Sequence, residues 1–152
     1  QPLKFYDFKT DIEGNTANFI KIPFSLALED DPYAVSTFEY NTDSGKYLKG
    51  QYNSPHMDGT TGKQLEFQNV IILECKQYRI AGDELGCIAS EFVGHGKGKY
   101  ASGGVIKDIV WKKQSRTSSY SLYESDGATE LLINPGKSYI AIVPMGTNIT
   151  FQ

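Results

Sequence analysis

Two histidines and one aspartate are the side chains of this sequence best suited to acid–base or metal chemistry. His56 and Asp58 flank a methionine in one turn-rich loop, and His95 lies in a glycine-rich stretch much further along the chain. Imidazole and carboxylate groups are common zinc ligands, and three of them would leave the open coordination position that a hydrolytic zinc needs. Nothing in the sequence brings the two histidines together, and an exposed histidine beside an aspartate in a turn is the simpler interpretation. We therefore predict no metal and no cofactor, and keep all three residues as candidate contacts to a ligand or partner.

The segment around His56, residues 53–62, reads NSPHMDGTTG and follows neither a helical nor a strand period. It is predicted to be an irregular loop whose path is restricted by Pro55 and two glycines. Asp58 could orient His56 towards a ligand or partner domain, or it could cap the turn at Gly59 by accepting a backbone N–H two residues on. The capping role is favoured, because turn chemistry alone accounts for both glycines.

A short basic stretch follows the only tryptophan, Trp111. Lys112, Lys113 and Arg116 could hold a phosphate or carboxylate of a partner, with the arginine supplying a bidentate guanidinium. The alternative is a solvated hairpin edge, where lysines prevent pairing with another sheet. The sequence shows no base for a nucleophilic pair and no Gly-x-Ser-x-Gly elbow. Trp111 itself is predicted to anchor the core rather than to form a ligand platform.

The string Gly94-His95-Gly96-Lys97-Gly98-Lys99 has the composition of a phosphate-binding loop. Such loops cradle phosphate when they follow a strand and open a helix, because the N–H groups of the helix N-terminus point at the anion. Here the string leads into Ser102-Gly103-Gly104, which is another turn signal. A bent or bulged strand rich in glycine is therefore the prediction.

Composition limits the classes of protein that need to be considered. The chain has 152 residues and a net charge of −3, which argues against a general nucleic-acid binder because such a protein shows an excess of lysine and arginine. No apolar run approaches the roughly 20 residues that a membrane span needs. Neither a signal peptide nor internal repeats are visible.

The elements that must position these residues read as strands separated by turns. Residues 35–40 and 46–52 flank a hairpin signal, Asn18–Leu28 is an edge or bulged strand because it contains Pro23, and Val70–Ile80 is a strand buried on both faces with 85–93 as its partner. Lys63–Phe67 could form a single helical turn. We predict one mainly antiparallel β domain over residues 1–152, built from successive hairpins and with little helix.

Cys75 and Cys87 are the only cysteines. In a hairpin centred on residue 81 they would face each other, so a cross-strand disulfide and two free cysteines both remain open.

Taken together, these motifs resemble one family along nearly the whole chain, from about Phe5 to Pro144. They occur in this order: Tyr40…Gly45-Lys46-Tyr47, Pro55-His56-x-Asp58, Asn69-Val70, Val93-Gly94-x-Gly96, Trp111-Lys112-Lys113, Ser115-Arg116, Asp126-Gly127 and Asn134-Pro135-Gly136. The sequence resembles the C-terminal domain of the YerB-like lipoproteins of Gram-positive bacteria, a family with no established activity. The resemblance implies an extracytoplasmic protein, anchored to the membrane through a lipidated cysteine upstream of this region and preceded by a separate domain.

The expected function is that of a non-catalytic interaction module in a cell-envelope lipoprotein. Its expected partners are its own upstream domain and an envelope protein or cell-wall polymer, with no nucleic acid. The rival hypothesis is an envelope hydrolase with His56, Asp58, His95 or Arg116 in a cleft shared with the upstream domain. The two hypotheses differ in whether His56 and Asp58 line one concave pocket with His95 or Arg116.

Overall fold

The computed structural model describes residues 3–23 and 34–152, and within these ranges the chain forms strands and no α-helix. The strands are β1 (Lys4–Phe5), β2 (Asn15–Thr16), β3 (Phe19–Pro23), β4 (Val35–Asn41), β5 (Lys46–Gln51), β6 (Ser54–Pro55), β7 (Glu66–Phe67), β8 (Asn69–Arg79), β9 (Ile88–Glu91), β10 (Gly94–Ser102), β11 (Val105–Lys113), β12 (Ser121–Glu124), β13 (Leu132–Ile133), β14 (Ser138–Pro144) and β15 (Thr150–Phe151). The predicted mainly β fold is confirmed. None of the described residues forms a helix long and apolar enough to cross a bilayer.

A central sheet has the strand order β12-β11-β10-β8-β14, with β2 paired to β11 and β9 paired to the outer part of β8. Its hairpins are antiparallel, as predicted. The exception is β14, which crosses over to lie parallel to β8, with Ser138 opposite Asn69 and Pro144 opposite Cys75. The short pair β1–β13 is also parallel. A plan of successive hairpins therefore describes most of the sheet but not its β14 edge.

A second sheet has the order β15-β3-β4-β5-β6, with β7 also paired to β5. The predicted hairpin of β4 and β5 is present, and Tyr40 and Tyr47 form a cross-strand pair with ring centroids 5.4 Å apart. Asn41 closes the turn by accepting the backbone N–H groups of Asp43 and Ser44 through Oδ1. The pair is therefore set by aromatic packing at its end and by side-chain capping at its tip.

The core lies on both faces of the first part of β8, as predicted for a continuous apolar run, but the predicted burial does not extend to residues 76–80, which are largely exposed. Val70 and Ile72 face the second sheet, whereas Ile71 and Leu73 face a thin third layer that includes β13 and parts of the N-terminal segment. Successive side chains of a strand point to opposite faces, so a run of four apolar residues can fill two cores at once. Trp111 lies in the second core and is 2% exposed, which confirms the prediction that it is an anchor.

A buried polar network joins two of the sequence motifs. Tyr100 donates its hydroxyl hydrogen to Asn69 Oδ1 (3.0 Å) and accepts the backbone N–H of Asn134 (2.8 Å), and Asn69 Nδ2 donates to the Asn134 carbonyl (2.7 Å). Burial raises the pKa of Tyr100. A satisfied network of this kind ties β8, β10 and the turn at Asn134 into one register.

Two local predictions need correction or fall outside the described residues. The helical turn at 63–67 was wrong: Gln64 forms a β-bridge with Met57, and β7 pairs with β5. The backbone groups of Leu65 exchange hydrogen bonds with His56 and Lys49, so the segment is held as an added strand rather than by local helical bonds. Of the predicted strand Asn18–Leu28, β3 confirms the part up to Pro23, and residues 24–28 lie outside the described residues. The prediction that it is an edge strand was wrong, because β15 and β4 pair with its two sides; Pro23 lies beyond the pairing with β15, where its missing N–H breaks no bond to that strand.

The hairpin is not centred on residue 81, the register that would have placed the two cysteines face to face. Lys76 lies opposite Glu91, and the Ile80 N–H bonds to the Cys87 carbonyl, so the tip lies at residues 83–84. Asp83 sets this tip by accepting the backbone N–H groups of Leu85 and Cys87. Both cysteines are free, with Cys75 buried and Cys87 exposed, because this register does not place them opposite each other.

Candidate binding site

The central sheet opens between β9 and β10, which both pair with β8 but in different registers. β10 pairs with β8 only as far as Gly98 opposite Leu73, and β9 resumes the pairing at Glu91 opposite Lys76. Residues 92–97 therefore lie opposite only two residues of β8, Glu74 and Cys75. The surplus residues arch away from β8, and an opening forms between the two strands.

Trp111 fills the floor of this opening. It lies opposite Gly96 across the β10–β11 pair, and its indole Nε1 donates to the Glu74 carbonyl at 2.9 Å, which supplies a partner where the β10 ladder is absent. A Cβ atom on Gly96 would lie 2.6 Å from Trp111 Nε1 and 2.7 Å from the Glu74 carbonyl oxygen. Glycine is required here because the indole passes directly beneath the backbone. The predicted glycine-rich strand is confirmed as β10, which pairs with β11 in unbroken register and so has no bulge there, and the close approach of the indole explains Gly96.

The opening is a cleft of about 530 Å³. Trp111, Cys75 and Gly96 form an apolar floor, and the exposed side chains of Val93 and Met145 stand at its rim. Its remaining lining residues are Glu74, Lys76, Glu91, His95, Lys97 and Gly146. Burial raises the pKa of the Cys75 thiol, which keeps it a neutral, apolar part of the floor. The cleft can therefore accept an apolar side chain within a rim of mixed charge.

The cleft brings His95 to a concave surface but does not bring the other candidate residues to it. His56 follows β6 of the second sheet, whereas His95 belongs to β10 of the central sheet. Neither His56 nor Asp58 lines the cleft, and neither does Arg116. Within residues 3–23 and 34–152, no group of three or more His, Cys, Asp or Glu side chains is placed to hold a metal ion.

His56 is instead bonded to a buried lysine. Lys49 is 2% exposed, and its Nζ lies 2.8 Å from His56 Nδ1 and 2.6 Å from Gln51 Oε1, with the Tyr139 ring centroid 5.4 Å away. An ammonium group can only donate, so His56 Nδ1 is the acceptor in this contact. Burial lowers the pKa of Lys49, and no carboxylate among the described residues pairs with it. His56 is therefore part of the support for a buried charge.

Asp58 does not orient His56. Its Oδ1 accepts the backbone N–H groups of Thr60 and Thr61, both at 2.8 Å, and these bonds hold the pKa of the carboxyl below its usual value. The predicted capping of this turn is confirmed. The loop at His56 is thus closed by its own hydrogen bonds.

The basic stretch is divided between two faces of β11. Lys112 donates to the Gly127 carbonyl (2.7 Å) and lies 4.2 Å from the Tyr123 ring centroid. Lys113 is buried and donates to the Ser118 carbonyl. Arg116 is exposed in the loop that follows. The three cations do not form one patch, and Lys112 and Lys113 are bonded within the fold; their role as partner contacts stays a prediction.

Sequence reasoning missed the cleft and the buried lysine. A signal for the cleft was present in glycines at every second position from 94 to 98, because alternate residues share one face and a face without side chains permits close approach. The signal for the buried lysine was weaker: Lys49 lies two residues after Tyr47, so the two side chains share the inward face of β5. The pairing partners of either segment could not be deduced from these patterns.

The fold and the cleft define a class of protein, a layered all-β domain with an open cleft between two strands of its central sheet. Residues 24–140 match the family described as "Protein of unknown function (DUF3048) C-terminal domain", and the chain belongs to this family. The resemblance seen in the motifs is thereby confirmed. None of the curated proteins matches the chain.

A solved structure supports the fold. The chain is similar to the YerB protein from Bacillus subtilis, with a TM-score of 0.75 and 21% sequence identity, over 98% of this chain and 47% of that chain. At this identity the likeness shows the fold alone. The chain therefore spans about half the length of the solved protein that it resembles.

Proposed function

We propose that this chain is a non-catalytic binding module of a bacterial cell-envelope lipoprotein, and that the cleft between β8 and β10 is its binding surface. The observation that carries the proposal is the apolar floor of Trp111 and Cys75 beneath the exposed rim of Val93 and Met145. Concave sites with apolar walls and a few polar groups are the usual form of a binding site. Extracytoplasmic location and a lipid anchor upstream are part of the proposal, and they rest on the resemblance to the YerB-like family.

The arrangement of the polar residues supports binding rather than catalysis. General acid–base chemistry needs a donor and an acceptor within hydrogen-bonding reach of one reacting group. His56 is bonded to Lys49, Asp58 caps its own turn, and His95 stands in a different sheet. The hydrolase hypothesis depended on these three residues and on Arg116, which is exposed in the loop after β11 and does not line the cleft.

The test compares two exposed methionines in the longer protein. Met145 stands at the cleft rim and is 62% exposed, whereas Met57 belongs to the loop at His56 and is 50% exposed. Both are replaced by glutamate, and each variant is expressed in a strain that lacks the native gene. We expect Met145→Glu to fail to restore the function of the protein in cells and Met57→Glu to restore it, with unchanged melting temperatures for both.

The rival hydrolase makes the opposite prediction. If the purified longer protein releases soluble fragments from cell-wall sacculi, and His95→Ala abolishes this release without lowering the melting temperature, the non-catalytic proposal is wrong. The hydrolase would then be the correct interpretation.

A further inference from the structure

A two-stranded arm extends from the cleft, formed by residues 76–91. Beyond Cys75, β8 no longer pairs with β10 or β14, and in the described part of the chain its only partner is β9. An isolated two-stranded hairpin is marginally stable in water and normally needs further packing on one of its faces. In the described residues, neither face of the arm packs against another element beyond the base of the arm.

Large apolar side chains cover the arm and are exposed to solvent. Tyr78 and Ile80 lie on one face, Ile88 lies opposite Arg79 on the other, and Leu85 at the tip is 89% exposed. Such side chains concentrated on one projecting element mark an interaction surface, because their exposure to water is unfavourable.

The arm and the cleft form one continuous surface. Lys76 and Glu91, which form the base of the arm, also line the cleft, and Val93 stands between the arm and the cleft floor. The arm carries two basic and three acidic residues, Lys76, Arg79, Asp83, Glu84 and Glu91. A near-neutral apolar surface suits a protein partner, whereas adsorption to an anionic membrane would require clustered basic residues.

We propose that this surface is occupied by the preceding half of the same longer protein, which packs against the arm and inserts an apolar side chain into the cleft above Trp111. The inference rests on the proposed function and names the partner of that same site. The family is described as a C-terminal domain, and the solved protein that shares the fold is about twice as long as this chain. A partner joined in one polypeptide is present at an effective concentration of about millimolar, so a surface of modest area is sufficient.

The exposed thiol of Cys87 allows a direct test on the arm itself. In the longer protein, Cys87 is labelled with a maleimide photo-cross-linker, and the cross-linked peptides are identified by mass spectrometry in an equal mixture of isotopically light and heavy protein. The matched control moves the label to another exposed apolar position, in the variant Cys87→Ser with Phe8→Cys, because Phe8 is 82% exposed and does not line the cleft.

We expect cross-links from Cys87 to the preceding half within one molecule, and few from position 8. Ile80→Lys, on the face of the arm that Lys76 and Glu91 share with the cleft, should reduce the Cys87 cross-links by roughly tenfold, as expected for the loss of a buried apolar anchor. Mixed light–heavy cross-links would assign the surface to a second copy and overturn the proposal. An absence of cross-links to the preceding half would overturn it as well. In both cases the proposed binding function would remain supported if Met145→Glu fails to restore function in cells while Met57→Glu restores it.

Discussion

The loop at His56 and the cleft at His95 contain the two histidines of the chain, and they differ in how their polar and apolar groups are satisfied. In the loop, Nδ1 of His56 accepts from Lys49, and the Asp58 carboxylate accepts two backbone N–H groups. In the cleft, the side chain of His95 forms no hydrogen bond to the described residues, and Met145 at the rim is exposed to solvent. One region is closed upon itself, and the other presents groups that a partner can contact.

The comparison shows that closeness in sequence is a poor guide to joint chemistry. His56 and Asp58 are two residues apart, yet their side chains serve different structural roles. The cleft, in contrast, combines strand β8 with the distant segments at residues 91–97, Trp111 and Met145, and it opens where the register of pairing with β8 changes.

The largest effect is expected from Trp111→Ala, which removes the floor of the cleft. Truncating a buried tryptophan lowers the free energy of unfolding by about 3–5 kcal/mol. The Glu74 carbonyl also loses the indole N–H that it accepts. Urea denaturation followed by circular dichroism measures the change. A midpoint equal to that of the parent would contradict the description of the cleft floor.

A smaller loss is expected from Gly96→Ala in the cleft. The new methyl group would lie 2.6 Å from Trp111 Nε1, and such overpacking costs about 1–3 kcal/mol. The control is Gly59→Ala in the loop at His56, where a Cβ atom meets nothing within 4 Å. Thermal melting of both variants makes the comparison, and equal melting temperatures would show that the backbone does not approach the indole.

The two histidines themselves provide the third test. His56→Ala removes an acceptor from the buried Lys49 ammonium and should lower the free energy of unfolding by about 1 kcal/mol. His95→Ala should leave it unchanged, because this side chain has no hydrogen-bonding partner among the described residues. Chemical denaturation at neutral pH measures both. A larger loss for His95→Ala would reverse the assignment of closed and open regions.

Lys49 also predicts a pH dependence for the closed region. Burial lowers its pKa from the ordinary value of 10.5, so the unfolded chain binds more protons as the pH approaches 10.5. Stability should rise with pH in that window, until deprotonation of tyrosines in the unfolded chain reverses the trend, because burial raises the pKa of Tyr47 in the folded state. In Lys49→Met the rise should disappear, whereas Lys46→Met, at the start of the same strand, should retain it. Urea midpoints at pH 7–10 provide the measurement.

The smallest effect is expected at Asp58. Asp58→Ala should lower the melting temperature more than Asp58→Asn, since an asparagine Oδ1 can still accept from Thr60 and Thr61. The pKa of Asp58 is lowered from 3.8, so its contribution to stability is present above that pH and is lost as the pH falls through the folded-state pKa. This acid sensitivity should be weaker in the asparagine variant. Identical melting curves for the parent and both variants between pH 2 and 5 would exclude the capping role.

Local pattern was sufficient for the elements but not for their assembly into a site. Apolar alternation and turn residues predicted the β4–β5 hairpin, and the continuous apolar run predicted that residues 70–73 of β8 are buried on both faces. The same reasoning identified Trp111 as an anchor and Asp58 as a cap. These properties depend on residues within a few positions of one another, so the sequence contains them directly.

By itself, therefore, the sequence determined the all-β class, the positions of the main strands and the residues that close the turns. Only the tertiary structure decided the parallel pairing of β14 with β8, the opening between β8 and β10, and the contact between His56 and Lys49. The physical reason is that strand pairing and register are set by contacts between distant segments, and a shift of one residue reverses which face each side chain occupies. The cleft exists because the register of pairing with β8 changes within one sheet, between Gly98 opposite Leu73 and Glu91 opposite Lys76.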